Sequence, residues 1–490
     1  MTGSRTKRIY ILGAGIAGIS IATEIQRKAI LGEVVAFLDD NPDKIGTKIN
    51  NTPVLGPIED ILPLLDSNPF DEALIAMPSA PRERLRRLYS LLEQADFARI
   101  RILPGISQIL EGDAHLIQTR EIDPLDLLSR TPVKINLQKS LSYLRGKRVL
   151  ITGAGGSIGS ELARQLLNGG CERIYLLGHG ENSIYAIDHE LKMLQKEGIG
   201  ENATIVPVIG ELQDADYVSF IMQRLRADVI FHCAAYKHVP LMEENPAAAV
   251  RNNIFGTWNL LQAAKTHPDC RLVLVSTDKV VEPVSVYGSS KMIAEHLVLG
   301  DPSGRHLAVR FGNVLGSRGS ILPLFQQQIL SGGPLTLTHP EASRFFMTIP
   351  EAVSLILKAG GVGEGGNLYL LDMGEQVKIH DVAEQMIRFY GFEPGRDIEI
   401  KTIGLRPGEK LQESLWGPKE EPEPTRFPGI TSLRRPPVQT DALQELLHEL
   451  EPVCFYQADK AESYRNRQEL RRILKQYVPS LQDFPDEPKY

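Results

Sequence analysis

Short apolar runs closed by a glycine or an acid recur along this chain, and they fall into two series. In the first, residues 9–12, 34–38, 73–77 and 100–103 read as strands, and residues 82–94 as an amphipathic, basic helix after Pro78 and Pro81. The second opens with a strand at 147–151, turns through glycines into a helix reaching Leu167, and continues with strands at 173–177, 205–209, 229–232 and 272–275. Runs this short and this uniformly apolar suit strands covered on both faces, as a parallel sheet requires. Their alternation with helical stretches predicts an α/β chain with two doubly wound parallel sheets, the second carrying a smaller substrate-binding subdomain. A connector with Pro124 and Pro132 and no repeat separates them, which sets boundaries at 1–120, 121–145, 146–436 and 437–490. The last segment reads as a polar linker and two helical stretches, 441–450 and 461–477, expected to cover a neighbouring surface or a partner subunit.

Both series begin with a glycine turn between strand and helix, which makes the sheets Rossmann-like. In the first, Gly13, Gly15 and Gly18 are followed by Asp39 at the end of the second strand, about 20 residues on, where such a fold places a ribose-binding carboxylate. The same layout also serves as a structural βαβ unit that holds nothing. The domain carries no acid/base constellation, so a regulatory, nucleotide-sensing or assembly role is expected of it. In the second series Gly153, Gly156 and Gly159, with Ser157 and Ile158 between them, bring bare backbone to a helix N-terminus, where unpaired N–H groups favour a diphosphate. The next strand ends at Gly178, where a ribose-binding carboxylate is missing. That removes a repulsion against a 2′-phosphate, so NADP and NAD are both admitted, with Glu181 able to reach back to the ribose. Glu211 can accept from an adenine amino group, and Ala234 and Ala235 are small enough for a cofactor to lie against them.

Composition narrows the picture. At 490 residues, with 42% hydrophobic and 23% charged residues, this is a soluble multidomain chain. A formal charge of −7 argues against a general nucleic-acid binder. Cys171, Cys233, Cys270 and Cys454 lie far apart, as in a reducing cytoplasm, and His179, His238 and His339 lack ligand spacing, so no metal is expected. No run approaches the ~20 apolar residues of a spanning helix, and residues 1–8 lack a signal-peptide core. A cytoplasmic location follows as the expectation.

The richest chemistry lies just past the strand at 272–275. Thr277, Asp278 and Lys279 fall where that strand opens into the crevice of an α/β sheet. Tyr287 and Lys291, four residues apart on a helix restarting after Pro283, would stack phenol and ammonium on one face, the cation lowering the phenol's pKa.

The stretch Ala234-Ala-Tyr-Lys237-His238-Val-Pro-Leu-Met-Glu243, with Asn245, Pro246 and Asn253 after it, resembles the signature of CapD-like polysaccharide biosynthesis proteins. These are nucleotide-sugar 4,6-dehydratases of the extended short-chain dehydrogenase/reductase superfamily. The likeness continues through Ser276–Lys279, Tyr287–Lys291, Arg310-Phe-Gly-Asn313 with Arg318, Thr338-His-Pro340, Arg344–Thr348 and Gly404-Leu-Arg406-Pro-Gly-Glu409-Lys410, covering most of 146–416. The first domain resembles the nucleotide-binding-like domain of the family's longer members, which usually also carry membrane helices.

The resemblance implies that UDP-N-acetylglucosamine becomes a UDP-4-keto-6-deoxy-N-acetylhexosamine for bacterial polysaccharide or glycoprotein, with NAD or NADP tightly bound and recycled within each turnover. By similarity Tyr287 takes the C4 hydroxyl proton with Thr277 at the same oxygen, Lys291 holds the cofactor ribose, Asp278 protonates the C6 hydroxyl and Lys279 removes the C5 proton. Those roles call for a protonated acid and a free amine, which burial would supply. Many longer members have methionine at the position of Tyr287, and many relatives have aspartate at that of Gly178. Lysine at 279 resembles the N-acetylglucosamine-using branch, since glucose-nucleotide dehydratases usually place glutamate there. Lys237, His238, Asn313, Arg318, Arg344, Arg406 and Glu409 are matched to the nucleotide-sugar end, the arginines for phosphate and Glu409 for a ribose hydroxyl. A homo-oligomer is expected. Two other readings remain: a 4-epimerase using only Thr277, Tyr287 and Lys291, and a non-catalytic NAD(P)-sensing protein.

Overall fold

The computed structural model describes residues 8–28, 32–62, 71–77, scattered positions from 80 to 102, 120–121, 141–200, 202–389 and 392–483. It divides into two units: Met1–Ser129 with Gln326–Leu335 and Asp381–Ile400, and the remainder. The helix expected over 82–94 falls mostly outside the described residues, as does 122–140 of the expected connector.

In the first unit β1 (Arg8–Leu12), β2 (Glu33–Leu38), β3 (Lys48–Ile49), β4 (Thr52–Leu55), β5 (Glu72–Ile75), β6 (Arg99–Ile102) and β7 (Arg120–Glu121) form one sheet in the order β3-β4-β2-β1-β5-β6-β7. The pairs from β4 to β6 are parallel, and β3 and β7 are antiparallel edges. Ile11, Leu12, Phe37, Leu38, Leu74 and Ile75 are almost entirely buried in it, which is why the apolar runs read so clearly. Helix α1 (Ile16–Lys28) follows the first glycine turn, and α2 (Ile58–Ile61) follows β4.

The second unit holds β8 (Arg148–Thr152), β9 (Arg173–Gly178), β10 (Thr204–Ile209), β11 (Val229–His232), β12 (Arg271–Val275), β13 (Leu307–Arg310), β14 (Asn313–Val314), β15 (Leu335–Leu337, which begins in the first unit), β16 (Ser343–Met347), β17 (Leu368–Leu371), β18 (Gln376–Lys378), β19 (Ile400–Thr402, likewise), β20 (Glu421–Pro424) and β21 (Ile430–Arg434). Nine of them make the main sheet, β10-β9-β8-β11-β12-β13-β17-β21-β20. It is parallel from β10 to β17 and closed by the antiparallel β21 and β20. A small sheet, β14-β16-β18, stands apart from it. Both sheets are thus doubly wound, as expected. In the larger one the chain order reverses between β8 and β11, and a crevice opens there beyond the strands' carboxyl ends.

Helices α3 (Ser157–Leu167), α4 (Glu181–Lys196), α5 (Ala215–Leu225), α6 (Val239–Glu244), α7 (Pro246–Val250), α8 (Gly256–Ala264), α9 (Val286–Leu299), α10 (Ile321–Leu330), α11 (Ile349–Val362) and α12 (Ile379–Phe389) complete the chain up to its last segment. Beyond it lie α13 (Thr440–Cys454) and α14 (Arg467–Tyr477). The stretch 461–466, expected to be helical, is turn instead, because the Asn466 side chain accepts from Glu469 N at 3.1 Å and starts α14 there. Leu446, Leu450, Val453, Leu470 and Leu474 share one core cluster with Val298 of α9, so this segment is part of the unit's interior. Among the described residues no helix is long and apolar enough to cross a membrane.

Candidate active site

The crevice beside β8 is built by close approach. Gly153 sits at φ +65°, and a Cβ there would lie 2.8 Å from the Ala234 backbone; one on Gly159 would lie 2.4 Å from Gly153 O. Side chains at either place would force β8, β11 and α3 apart. Gly156 caps α3 without a side-chain hydrogen bond, and the first turn holds no acid, so its N–H groups face the crevice unneutralised. The Ser157 hydroxyl accepts from Arg318 N at 3.1 Å, which ties the exposed Arg318 to the glycine turn through its backbone. Glu181 lies exposed in the first turn of α4, beyond Gly178, and Glu211 lies exposed after β10. His232, ending β11, is locked between Thr152 Oγ1 (2.7 Å) and Thr257 Oγ1 (2.8 Å), and burial pushes its pKa down to about 3.

The strand tip of β12 keeps pairing after the strand ends: Ser276 N donates to Val309 O (2.8 Å) and Asp278 N to Phe311 O (3.0 Å). That holds Thr277, Asp278 and Lys279 at the carboxyl end of the sheet, the last two in a short 3₁₀ turn capped by Thr277. Asp278 is fully buried; its Oδ1 accepts from Thr277 Oγ1 and from Lys279 Nζ, each at 3.0 Å, while its Oδ2 accepts nothing from the described residues. Lys279 Nζ also donates to Asn313 Oδ1 at 2.9 Å. Ser285 caps α9 by accepting from Gly288 N at 3.0 Å, which starts the helix one residue before Tyr287 and delivers the buried phenol beside Thr277 and Lys279. The catalytic candidates Thr277, Asp278, Lys279 and Tyr287 and the substrate-binding candidate Asn313 therefore meet at one spot.

Two electrostatic expectations are corrected. Burial alone would free the Lys279 amine of its proton, but the carboxylates of Asp278 and Glu413 and the Tyr287 phenol outweigh it, and the ammonium's pKa is raised. Lys291 is not the cation that favours the Tyr287 phenolate. Its Nζ donates to Val275 O at 2.9 Å and burial lowers its pKa to about 8, whereas the phenol is raised by burial and partly offset by Lys279 and a hydrogen bond with Thr277.

The remaining candidates divide by what already holds them. Lys237 and His238 keep much of their surface in solvent; the part that is covered, and then the neighbouring cations, Lys279 for the one and Lys237 and Arg406 for the other, depress both pKa values. Arg406 and Glu409 bind each other, at 2.6 Å. Arg344 is buried, its Nη atoms donating to the carbonyls of Ser343, Leu411 and Lys410, so it clasps a loop instead of presenting a free fork. In the first unit Asp39 accepts from Ala14 N (2.7 Å) and Asn41 N (2.8 Å), and Lys44 reaches both Asp39 and Ala14 O. These bonds overcome burial and lower the acid's pKa; they buttress the turn of Gly13, Gly15 and Gly18.

Sequence reasoning quotes Asn253 and Glu243 within the family signature without giving either a role, and passes over Glu413. Asn253, in a π-helical turn at Arg251–Phe255, holds Tyr236 by both backbone groups (2.9 and 3.0 Å) and Ser290 of α9 (2.9 Å). Glu243 accepts from Val286 N (2.7 Å) at the start of α9 and from Arg471 Nη2 (2.8 Å) of α14. Glu413, buried near Lys279, carried no signal beyond being an acid between Leu411 and Leu415.

Residues 149–435 match the family model described as polysaccharide biosynthesis protein, and residues 2–104 match one described as a CoA-binding domain. Capsular polysaccharide biosynthesis protein CapD of Staphylococcus aureus is 41% identical over 422 residues, 84% of this chain and 69% of that protein. A UDP-N-acetylglucosamine 4,6-dehydratase (inverting) of Campylobacter jejuni is 30% identical over 279 residues, covering 55% of this chain and 77% of its own. A UDP-glucose 4-epimerase of Rickettsia canadensis is 32% identical over 275 residues, with the same shares. Among solved structures, Pen from Bacillus thuringiensis superposes with a TM-score of 0.53 at 32% identity, over 60% of this chain and 89% of that one.

Proposed function

Since the chain belongs to the polysaccharide biosynthesis protein family, we propose that it is a nucleotide-sugar 4,6-dehydratase acting on UDP-N-acetylglucosamine. The observation that carries this reading is the Asp278–Lys279 pair: an acid and an amine 3.0 Å apart, at a strand tip, beside a buried tyrosine. A 4-epimerase would need Thr277 and Tyr287 but would leave that pair idle.

The glycine turn fits a dinucleotide: uncapped N–H groups at α3, Gly153 and Gly159 where larger residues would not fit, and small Ala234 and Ala235 beside them. Gly153, Gly156, Ser157, Ile158 and Gly159 would hold the diphosphate and Lys291 the nearer ribose. Glu181 and Glu211 would meet the adenosine end, where Gly178 leaves NAD and NADP both admissible. When bound, the nicotinamide would supply a reversible hydride acceptor for the sugar. Tyr287 receives the C4 hydroxyl proton while Thr277 holds the same oxygen. The C4 ketone makes the C5 proton acidic; Lys279 removes it, and Asp278 delivers a proton to the C6 hydroxyl, which leaves as water. Since Asp278 holds the Lys279 ammonium in the resting protein, the pair begins with one proton too many on the amine. Passing that proton to the carboxylate yields the acid and the base in one step. Asn313, which accepts from Lys279, orients the amine.

Purified protein incubated with UDP-N-acetylglucosamine and analysed by mass spectrometry and chromatography tests the reading. Loss of one water supports it, an isobaric isomer points to a 4-epimerase, and unchanged sugar to a nucleotide-sensing role.

A further inference from the structure

Glu413 is buried, yet its Oε2 accepts no hydrogen bond from the described residues; the Lys410 ammonium stands 3.9 Å from it. A buried carboxyl oxygen that accepts no hydrogen bond is costly even with an ammonium at that distance, and its retention calls for an explanation. Its backbone is pinned, since Gln376 Nε2 donates to Glu413 O at 2.8 Å. The residue also lines a cleft of about 790 Å³ with Phe345, Met373, Trp416 and Phe427, at the carboxyl end of β17. A thin wall separates that cleft from Asp278. Gly312 N donates to Met373 Sδ at 3.4 Å, and a Cβ on Gly312 would lie 2.9 Å from Phe345 Cβ and 3.1 Å from Asp278 Oδ2. Asp278 and Glu413 each keep an oxygen that accepts no hydrogen bond from the described residues; Asp278 touches Lys279 directly, Glu413 acts on it from beyond contact distance, and of the two only Glu413 borders the cleft.

We propose that Glu413 is a positioning residue that carries the Lys279 proton to and from water in this cleft. The proposal rests on the dehydratase reading. In each turnover the proton that Lys279 takes from C5 passes, by a swing of the amine away from Asn313 or across a bridging water, to the Glu413 carboxylate and from there to water in the cleft. A proton from the same pool returns through Glu413 and Lys279 to C5, so nothing is oxidised or consumed. The charges that act most strongly on Glu413 come from Asp278 and Lys279 at the strand tip, Arg344 of β16 and Lys410 of its own loop. Burial raises its pKa and Asp278 pushes the same way, while Lys279, Arg344 and Lys410 pull back; the net is upward.

The test is turnover of UDP-N-acetylglucosamine in D₂O, with the C5 position of the product read by NMR. The wild-type enzyme is expected to place solvent deuterium there. Glu413→Gln and Glu413→Met remove an unsatisfied carboxyl, so both are expected to fold with a Tm at or above that of wild type. They should lose roughly tenfold in kcat with KM unmoved, and show roughly fivefold less deuterium at C5. Glu413→Asp, which keeps a carboxyl, should restore part of both. Variants that fold and keep wild-type deuterium content overturn the proposal, and so do variants that unfold while Glu413→Asp does not, which would make the carboxyl structural. Absence of any dehydrated product from the wild type would instead remove the reading beneath it.

Discussion

Asp278 and Lys279 are neighbours in the backbone, and the strand tip gives them one environment with opposite demands. The carboxyl is sealed from solvent and the amine reaches past it to Asn313. On this account Asp278→Asn, which cannot deliver a proton, should lower the rate of dehydration about 10²- to 10⁴-fold. Affinity for UDP-N-acetylglucosamine, measured by calorimetry, should stay within a few-fold, because a nearly isosteric amide disturbs no contact at the nucleotide end. Tyr287→Phe should be as inactive, but for a different reason, and its product mixture should contain neither dehydrated nor epimerised sugar. What the sequence could not show at this scale was balance. The motif announced a buried acid and amine, but part of what raises the Lys279 pKa, after Asp278 itself, comes from Glu413, more than a hundred positions away, whose nearness only the folded chain creates.

Helix α9 brings the phenol to the strand tip, and its position is set from both ends. Ser285 caps it, Glu243 accepts from its first N–H, and Arg310 of β13 grips its Glu295 in a buried, two-pronged pair at 2.8 and 3.2 Å. Glu243 is itself neutralised by Arg471, with both side chains nearly sealed from water. Removing one partner of such a pair strands the other, so Arg471→Ala should cost about 3–5 kcal/mol in urea unfolding. Pairing Arg471→Met with Glu243→Gln should recover most of that loss, because the uncompensated charge is then gone. Strands and helices were legible where apolar runs were short and glycines marked the turns: β11 spans the expected 229–232, and β9 begins at the expected Arg173. The long-range ties were not, since an arginine in the last helix gives no local hint of the glutamate it will meet.

On the scale of the whole chain, stability should depend on acidity in a direction that two histidines set. His232 is held neutral by burial with a pKa of about 3, and His296, bonded to Tyr477 OH at 2.9 Å, is held at about 4. Both lie below the ordinary histidine value near 6.5, so the unfolded chain binds more protons as pH falls. Their contribution is intact above pH 6.5 and is lost at about 1.4 kcal/mol per pH unit for each, down to the folded values. Urea midpoints at pH 7 and 5.5 measure it, and His232→Asn should remove its share of the slope. The histidines brace opposite parts of the second unit, the first joining β8, β11 and α8 and the second joining α9 to α14. Mild acid should therefore loosen the crevice and the C-terminal layer together.

The dependence of the tyrosine helix on Arg471 also has a temporal side. Protein synthesis runs from the amino end, so Glu243 and the phenol emerge from the ribosome more than a hundred residues before the arginine that neutralises that glutamate. Until Arg471 arrives the Glu243 carboxylate at the head of α9 lacks its counter-ion, so the docking of α14 should be the late step that completes the support beneath the tyrosine.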